Sequence, residues 1–179
     1  MIVGIDGGLG SGKTYTAVWL AAQEASARPI FANFDLAIAT RVWTWRELCA
    51  LRSGMFLWDE AHLDIDSRMF GSNVSVTPWL TQTRKLGMDI VYMTQSYDQV
   101  DKRLRNLTDV LIRCSRVVAA DSRRGTRMMV INIFEQKVVT DAIMAHDTGI
   151  YALYDTHQMV IPLQGTMPTL AELVEMNRR

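Results

Sequence analysis

The feature that most constrains this chain is a glycine-rich stretch that directly follows a short apolar run at the N-terminus. Residues 2–5 read Ile-Val-Gly-Ile, and residues 7–14 read Gly-Gly-Leu-Gly-Ser-Gly-Lys-Thr. A helical pattern then runs from Thr14 to about Ser26. Glycines let backbone N–H groups surround an anion at the positive end of the following helix. The stretch therefore predicts a phosphate-binding loop inside an α/β fold.

The spacing within the loop predicts its chemistry. The pattern G-x-x-x-x-G-K-[ST] is met by Gly7, Gly12, Lys13 and Thr14. We expect Lys13 to reach the β- and γ-phosphates as a catalytic residue, and the Thr14 hydroxyl to ligate Mg²⁺. The expected cofactors are ATP and Mg²⁺. The residues predicted to contact the nucleotide are Gly7, Gly8, Leu9, Gly10, Ser11, Gly12, Lys13, Thr14 and Tyr15.

A second site follows another apolar strand. Met55-Phe56-Leu57-Trp58 is followed directly by Asp59 and Glu60. Asp59 is predicted to hold Mg²⁺ through its water shell, and Glu60 to polarise the attacking water as general base. A strand-like segment at 30–34 separates this strand from the first one, so we expect the two not to be neighbours in the sheet. A strand that ends in solvated acids is the alternative interpretation of the pair.

Further candidates complete a hydrolytic site. Gln95 ends the strand predicted at 89–94, where a polar amide could sense the γ-phosphate as a catalytic residue. ATP motors commonly use an arginine from a neighbouring subunit. Arg84 is the first candidate for that role, ahead of Arg103 and Arg105, although each of them taken alone is more typical of a solvated or ion-paired arginine. His62 completes Asp-Glu-Ala-His and is as readily a loop histidine as a functional one.

Basic residues are frequent between 102 and 127, although the whole chain carries 19 basic and 19 acidic residues. The predicted turn Asp121-Ser122-Arg123-Arg124-Gly125 would join strands at 110–120 and 126–134 as a hairpin. Arg123, Arg124 and Arg127 are candidates for contact with DNA phosphates. A charged turn that protects a strand edge is the alternative.

The order of elements predicts one domain over residues 1–179. Its expected form is a three-layer α/β sandwich with a mainly parallel central sheet and an appended antiparallel hairpin. Helices are expected at 43–52, 77–85 and 98–107, a loop at 64–76, and a last short strand at 150–154. There is no apolar run of about 18 residues, so we expect no membrane span and a soluble protein. Cys49 and Cys114 are expected to be reduced thiols.

Together these residues resemble the zonula occludens toxin (Zot) family, which is grouped with FtsK/HerA-type P-loop motor ATPases and with viral genome-packaging ATPases. The resemblance extends over nearly the whole chain. Besides the phosphate loop, it rests on Phe31-Ala32-Asn33-Phe34, Leu57–His62, Trp79–Ile90, Met93-Thr94-Gln95, Asp101–Leu107 and Ile150–Asp155.

The resemblance implies an oligomeric ATPase that moves phage DNA. Zot-like proteins of filamentous phages carry a membrane span after the ATPase domain, and this sequence shows none. We therefore expect a DNA-packaging ATPase that works as a pentameric or hexameric ring with a capsid vertex or virion assembly proteins, in the host cytoplasm or on the virion. The alternatives are a filamentous-phage assembly and extrusion ATPase, and a nucleotide-binding scaffold that does not hydrolyse ATP.

Overall fold

The computed structural model describes residues 1–65, 76–118 and 123–177. In these ranges eight strands form one sheet. The strands are β1 (Ile2–Asp6), β2 (Ile30–Ala32), β3 (Thr40–Arg41), β4 (Gly54–Trp58), β5 (Met88–Thr94), β6 (Val110–Val118), β7 (Arg124–Asn132) and β8 (Lys137–Ala145).

The sheet has a parallel part and an antiparallel extension. Its order is β3-β2-β4-β5-β1-β6-β7-β8. Neighbours from β3 to β6 are parallel, whereas β7 pairs antiparallel with β6, and β8 antiparallel with β7. We call β7 and β8 the antiparallel extension. The predicted fold class is confirmed, and so is the separation of β1 from β4, because β5 lies between them.

Helices cover both faces of the parallel part. The described helices are α1 (Lys13–Glu24), α2 (Trp45–Ala50), α3 (Val76–Leu80), α4 (Lys102–Asn106), α5 (Thr148–Tyr151) and α6 (Leu170–Met176). On one face α1 buries Ala17, Val18 and Ala21 against the sheet in a core shared with residues of the α5 segment. The other face packs against α2, α3, α4 and α6. None of the helices in the described ranges has the length and apolar character needed to cross a bilayer.

Side-chain caps explain where several of these helices begin. Thr44 and Glu47 form a capping box at α2, and Thr169 and Glu172 form another at α6. Asp101 accepts a hydrogen bond from the N–H of Arg103 at the start of α4. This cap divides the helix predicted at 98–107 into a 3₁₀ turn, Tyr97–Gln99, and α4. Each is a local signal that fixes a helix boundary.

Several predicted elements are wrong in detail. The strand predicted at 150–154 is instead α5, because the Asp147 side chain accepts from the N–H of Gly149 and starts a helical turn there. The predicted helix 77–85 is reduced to α3 and a run of turns. The sequence pattern does not predict β3, β8 or α6. The expected loop at 64–76 lies largely outside the described residues, and so do Asp121 and Ser122 of the predicted hairpin turn, whereas Arg124 and Gly125 of that turn belong to β7.

Candidate nucleotide-binding site

The phosphate loop joins β1 to α1, and its glycines are required by close contacts. Gly7, Gly10 and Gly12 have φ values of 151°, 69° and 96°, which side-chain-bearing residues rarely adopt. A Cβ atom at Gly7 would overlap the backbone oxygen of Cys114, and one at Gly12 would overlap Thr126 Oγ1. The loop is therefore packed against β6 and β7 as well as against its own helix.

Polar groups of the loop are directed inward. Lys13 is only 7% exposed, and its Nζ donates to the backbone oxygens of Gly7 and Gly8 at 2.8 and 3.2 Å. The Ser11 hydroxyl oxygen is buried and has no hydrogen-bond partner among the described residues. The buried Lys13 ammonium and the N-terminus of α1 are together suited to a phosphate group.

Asp59 and Glu60 follow β4 and lie beside the loop. Thr14 Oγ1 donates to Asp59 Oδ2 at 3.2 Å, and the backbone N–H of Glu60 donates to Asp59 Oδ1 at 3.0 Å. Burial, together with the charge of Glu60, raises the pKa of Asp59 to about 6. A hydroxyl and a carboxylate so close together are oxygen ligands of the kind Mg²⁺ takes along with phosphate oxygens. The pair therefore fits the predicted metal position.

Glu60 has an unusual backbone conformation for a residue with a side chain. Its φ is 49° and its ψ is 43°, in the left-handed region, which non-glycine residues occupy at an energetic cost. Its carboxylate Oε2 lies 3.3 Å from His62 Nδ1, and His62 Nδ1 lies 3.5 Å from Thr94 Oγ1. His62, for which the sequence left both a loop role and a functional role open, therefore contacts Glu60, the predicted general base.

Asn33 has a role that the sequence motifs do not reveal. Its Nδ2 donates to the backbone oxygen of Asp59 at 2.9 Å, and its Oδ1 accepts from the backbone N–H of Asp59 at 2.8 Å. Both groups are buried, and Asn33 is only 2% exposed. This two-point contact holds the backbone of Asp59 on both sides of its Cα atom at the end of β4. The available signal is Asn33 itself, a polar residue that directly follows a short apolar strand.

A cavity of about 380 Å³ lies beside the phosphate loop. The phosphate loop, Thr14, Asp59 and Glu60 form one wall. The rest of the lining consists of Phe34 and of residues from the C-terminal third of the chain: Arg124, Tyr151, Tyr154, Asp155, Thr156, Gln158, Met159 and Val160. Tyr15 also lines the cavity but is only 2% exposed. The cavity thus combines phosphate-binding groups with aromatic and apolar side chains.

The other catalytic candidates lie outside this cavity. Gln95 is exposed at the carboxyl end of β5 and is not among the residues that line the cavity. Arg84 is exposed in the turns before β5. The turns that carry Arg84 lead into the amino end of β5, whereas the phosphate loop follows the carboxyl end of the parallel neighbour β1, so the length of β5 separates the two by roughly 20 Å. Arg105 pairs with Asp98 at 2.9 Å, and Arg103 lies 3.7 Å from Asp101.

The three arginines considered for DNA contact occupy different environments. Arg124 lines the nucleotide cavity, and its Nη2 donates to the backbone oxygen of Gly10 at 3.1 Å. Arg127 forms a two-point pair with Asp141, with distances of 2.8 and 2.6 Å. Arg123 is exposed at the start of the antiparallel extension. The basic cluster of the sequence is thus not one continuous surface, because Arg124 faces the phosphate loop.

Comparison with known proteins identifies the family. The family model for zonular occludens toxin (Zot) matches residues 35–158, which is more than half of the chain. No curated protein sequence matches the chain.

Solved structures share the fold. The N-terminal domain of zonular occludens toxin from Neisseria meningitidis is 23% identical and has a TM-score of 0.64, covering 86% of this chain and 98% of that one. The genome packaging NTPase B204 from Sulfolobus turreted icosahedral virus 2, in complex with ATP-gammaS, is 12% identical with a TM-score of 0.59, covering 79% and 95%. The flagellar accessory protein FlaH from Methanocaldococcus jannaschii is 10% identical with a TM-score of 0.55, covering 80% and 84%. The fold is that of the P-loop NTPases, and the chain belongs to the Zot family.

Proposed function

We propose that this chain is an ATPase that binds ATP and Mg²⁺ in the cavity described above. The observation that carries the proposal is the contact of Thr14 with Asp59 beside the buried Lys13. Lys13 binds the β- and γ-phosphates, Thr14 and Asp59 hold Mg²⁺, and the loop from Gly7 to Tyr15 surrounds the nucleotide. The bound metal supplies charge neutralisation at the phosphates. Glu60 accepts the proton of the attacking water.

We further propose that ATP hydrolysis moves viral DNA and takes place in an oligomeric ring. A protein of the same fold is a genome packaging NTPase, which supports packaging as the task. Arg84 precedes the amino end of β5, whereas the phosphate loop follows the carboxyl end of the parallel strand β1, and the exposed Arg84 side chain would be available to a neighbouring subunit. It would then stabilise the charge that develops on the transferred phosphoryl group of that neighbour. Gln95 stays a candidate for sensing the γ-phosphate.

The second candidate is virion assembly and extrusion of a filamentous phage. The match to the Zot family model favours it, because the resemblance to Zot-like proteins of filamentous phages implies that process. The two candidates differ in cargo: packaging moves double-stranded DNA into a capsid, whereas extrusion handles single-stranded DNA. ATPase rates measured with duplex and with single-stranded DNA separate them. Stimulation by duplex DNA alone supports packaging, and stimulation by single-stranded DNA alone supports extrusion.

The shared site is tested by mixing two inactive variants. Glu60→Gln lacks the general base but retains Arg84, and Arg84→Ala retains Glu60. If Arg84 acts on the neighbour, each variant alone is inactive, and an equimolar mixture recovers a substantial fraction of wild-type hydrolysis. Arg46→Ala, which changes an arginine that is 73% exposed on α2, is the matched control and should retain full activity. A normal rate for Arg84→Ala alone would exclude Arg84 from the site.

A further inference from the structure

A residue of the antiparallel extension, Thr126, forms a hydrogen bond with the backbone of the phosphate loop. Thr126 of β7 is fully buried, and its hydroxyl donates to the backbone oxygen of Ser11 at 2.9 Å. The same hydroxyl lies 2.8 Å from His146 Nε2. The left-handed Gly12 packs directly over it, so no larger residue fits at this point of the loop. Thr126 thus contacts the part of the loop that directly precedes Lys13.

The directions of these hydrogen bonds place a hydrogen on Nε2 of His146. The carbonyl of Ser11 can only accept, so it uses the single hydrogen of the Thr126 hydroxyl. The hydrogen between Thr126 and His146 must therefore be on Nε2. In a neutral ring Nδ1 carries no hydrogen, so it accepts from the hydroxyl of Tyr151, which lies 2.6 Å away. The result is a continuous chain of hydrogen bonds from Tyr151 through a neutral His146 and Thr126 to Ser11.

Ring contacts fix this histidine from the side of α1. The ring of Tyr15 stacks on His146 with a centroid distance of 3.9 Å and an interplanar angle of 17°. The Tyr15 hydroxyl accepts from the backbone N–H of Asp147 at 2.6 Å. Burial, and to a smaller degree the charge of Arg124, lowers the pKa of His146, which agrees with a neutral ring. Three separate elements, α1, β7 and α5, therefore meet at one imidazole.

We propose that Thr126 and His146 are positioning residues of the nucleotide site. They hold the Ser11–Gly12 peptide in the conformation in which the loop amides converge on phosphate. Neither residue touches the phosphates, and each acts through the loop backbone. The inference rests on the proposed function of the loop as an ATP site. It assigns to the antiparallel extension a part in nucleotide binding beyond any contact with DNA.

The test compares Thr126→Val with Thr126→Ser. Valine has the shape of threonine without the hydroxyl, whereas serine keeps the hydroxyl. The dissociation constant of a fluorescent ATP analogue with Mg²⁺ should rise roughly tenfold in Thr126→Val, which corresponds to about 1.4 kcal/mol. Thr126→Ser should stay within about twofold of wild type, a difference of at most about 0.4 kcal/mol. The matched control, Thr140→Val on the exposed strand β8, should bind like wild type.

A second variant separates positioning from loss of stability. His146→Phe keeps a ring against Tyr15 but removes both ring-nitrogen hydrogen bonds, and it should weaken binding to a similar extent. A purely structural role would lower the melting temperature and leave the dissociation constant of the folded protein unchanged. Wild-type affinity in either folded variant would overturn the proposal. A wild-type protein that binds no ATP analogue would instead overturn the proposed function, and this inference with it.

Discussion

The parallel part of the sheet and the antiparallel extension differ in burial and in what they contribute to the site. Every residue of β1 and β4 is buried, whereas β8 has no buried residue and is exposed along most of its length. The parallel part supplies Lys13, Thr14, Asp59 and Glu60. The extension supplies none of these groups, yet it contacts the loop through Thr126 and Arg124. The comparison separates residues that carry the chemistry from residues that hold them in place.

The largest effect is expected in the parallel part, at Lys13. Lys13→Ala removes the buried ammonium that would contact the β- and γ-phosphates, and it should weaken binding of an ATP analogue by about 100-fold or more. Equilibrium titration with a fluorescent analogue measures the change. Lys137→Ala, at an exposed position of β8, is the control from the extension and should bind like wild type. If Lys13→Ala and Lys137→Ala bound the ATP analogue equally well, the assignment of phosphate binding to the parallel part would be wrong.

A substitution of Asn33 tests whether the parallel part also contains residues that position the acids of its own site, Asp59 and Glu60. Asn33→Ala leaves the buried N–H and carbonyl of Asp59 without their partners, and it should lower the free energy of unfolding by about 2–3 kcal/mol. Hydrolysis should fall more than nucleotide binding, because Asp59 and Glu60 lose their support while the phosphate loop does not. Urea denaturation and steady-state kinetics measure the two effects. An unchanged free energy of unfolding would show that the hydrogen bonds between Asn33 and Asp59 do not stabilise the fold.

A pH effect is expected where the extension meets the loop. The pKa of His146 is lower in the folded protein than the usual value of about 6.5 in unfolded chains. Its contribution to stability is therefore complete above about pH 6.5 and is lost as pH falls towards the folded pKa. The groups facing its ring are Tyr15, Tyr151, Thr126 and, as the nearby charge, Arg124. His146→Phe should therefore flatten the decline of the urea midpoint below about pH 6.5, and a decline as steep as that of wild type would contradict this assignment.

The smallest effect is expected on the exposed face of the extension. Arg127 and Asp141 form a two-point pair, but both side chains are well exposed to solvent. Exposed ion pairs are screened and contribute little. Arg127→Ala should therefore leave the urea midpoint and the affinity for ATP unchanged within error. A clear loss of affinity would show that this face, like Thr126, is connected to the phosphate loop.

The same comparison explains what the sequence could predict. The phosphate loop and the Asp59–Glu60 pair are local patterns that directly follow buried apolar strands, so motif and strand could be recognised together. The separation of β1 and β4 followed from the strand-like segment between them. These features depend on neighbouring residues, and they lie in the part of the sheet that is buried on both faces.

Long-range pairing determines the features that could not be predicted. Asn33 reaches Asp59 because β2 pairs with β4, with Ala32 opposite Leu57. Thr126 lies under Gly12 because of its register opposite Arg116. Strand β8 was missed because it is exposed at the edge of the sheet and lacks a buried apolar alternation. The polar cap at Asp147 starts a helical turn in a segment whose apolar residues suggested a strand.

The measurement that tests the central claim most directly is release of phosphate from ATP by wild type and Glu60→Gln, alongside binding of an ATP analogue. Glutamine keeps the size of the side chain but cannot accept the proton of the attacking water. With Mg²⁺ present, the variant should bind the analogue within about twofold of wild type, while its rate of hydrolysis falls by about 100-fold or more. Equal rates for the two proteins, or a wild type that binds ATP without hydrolysing it in the presence of DNA, would contradict the assignment of this site as an ATPase centre.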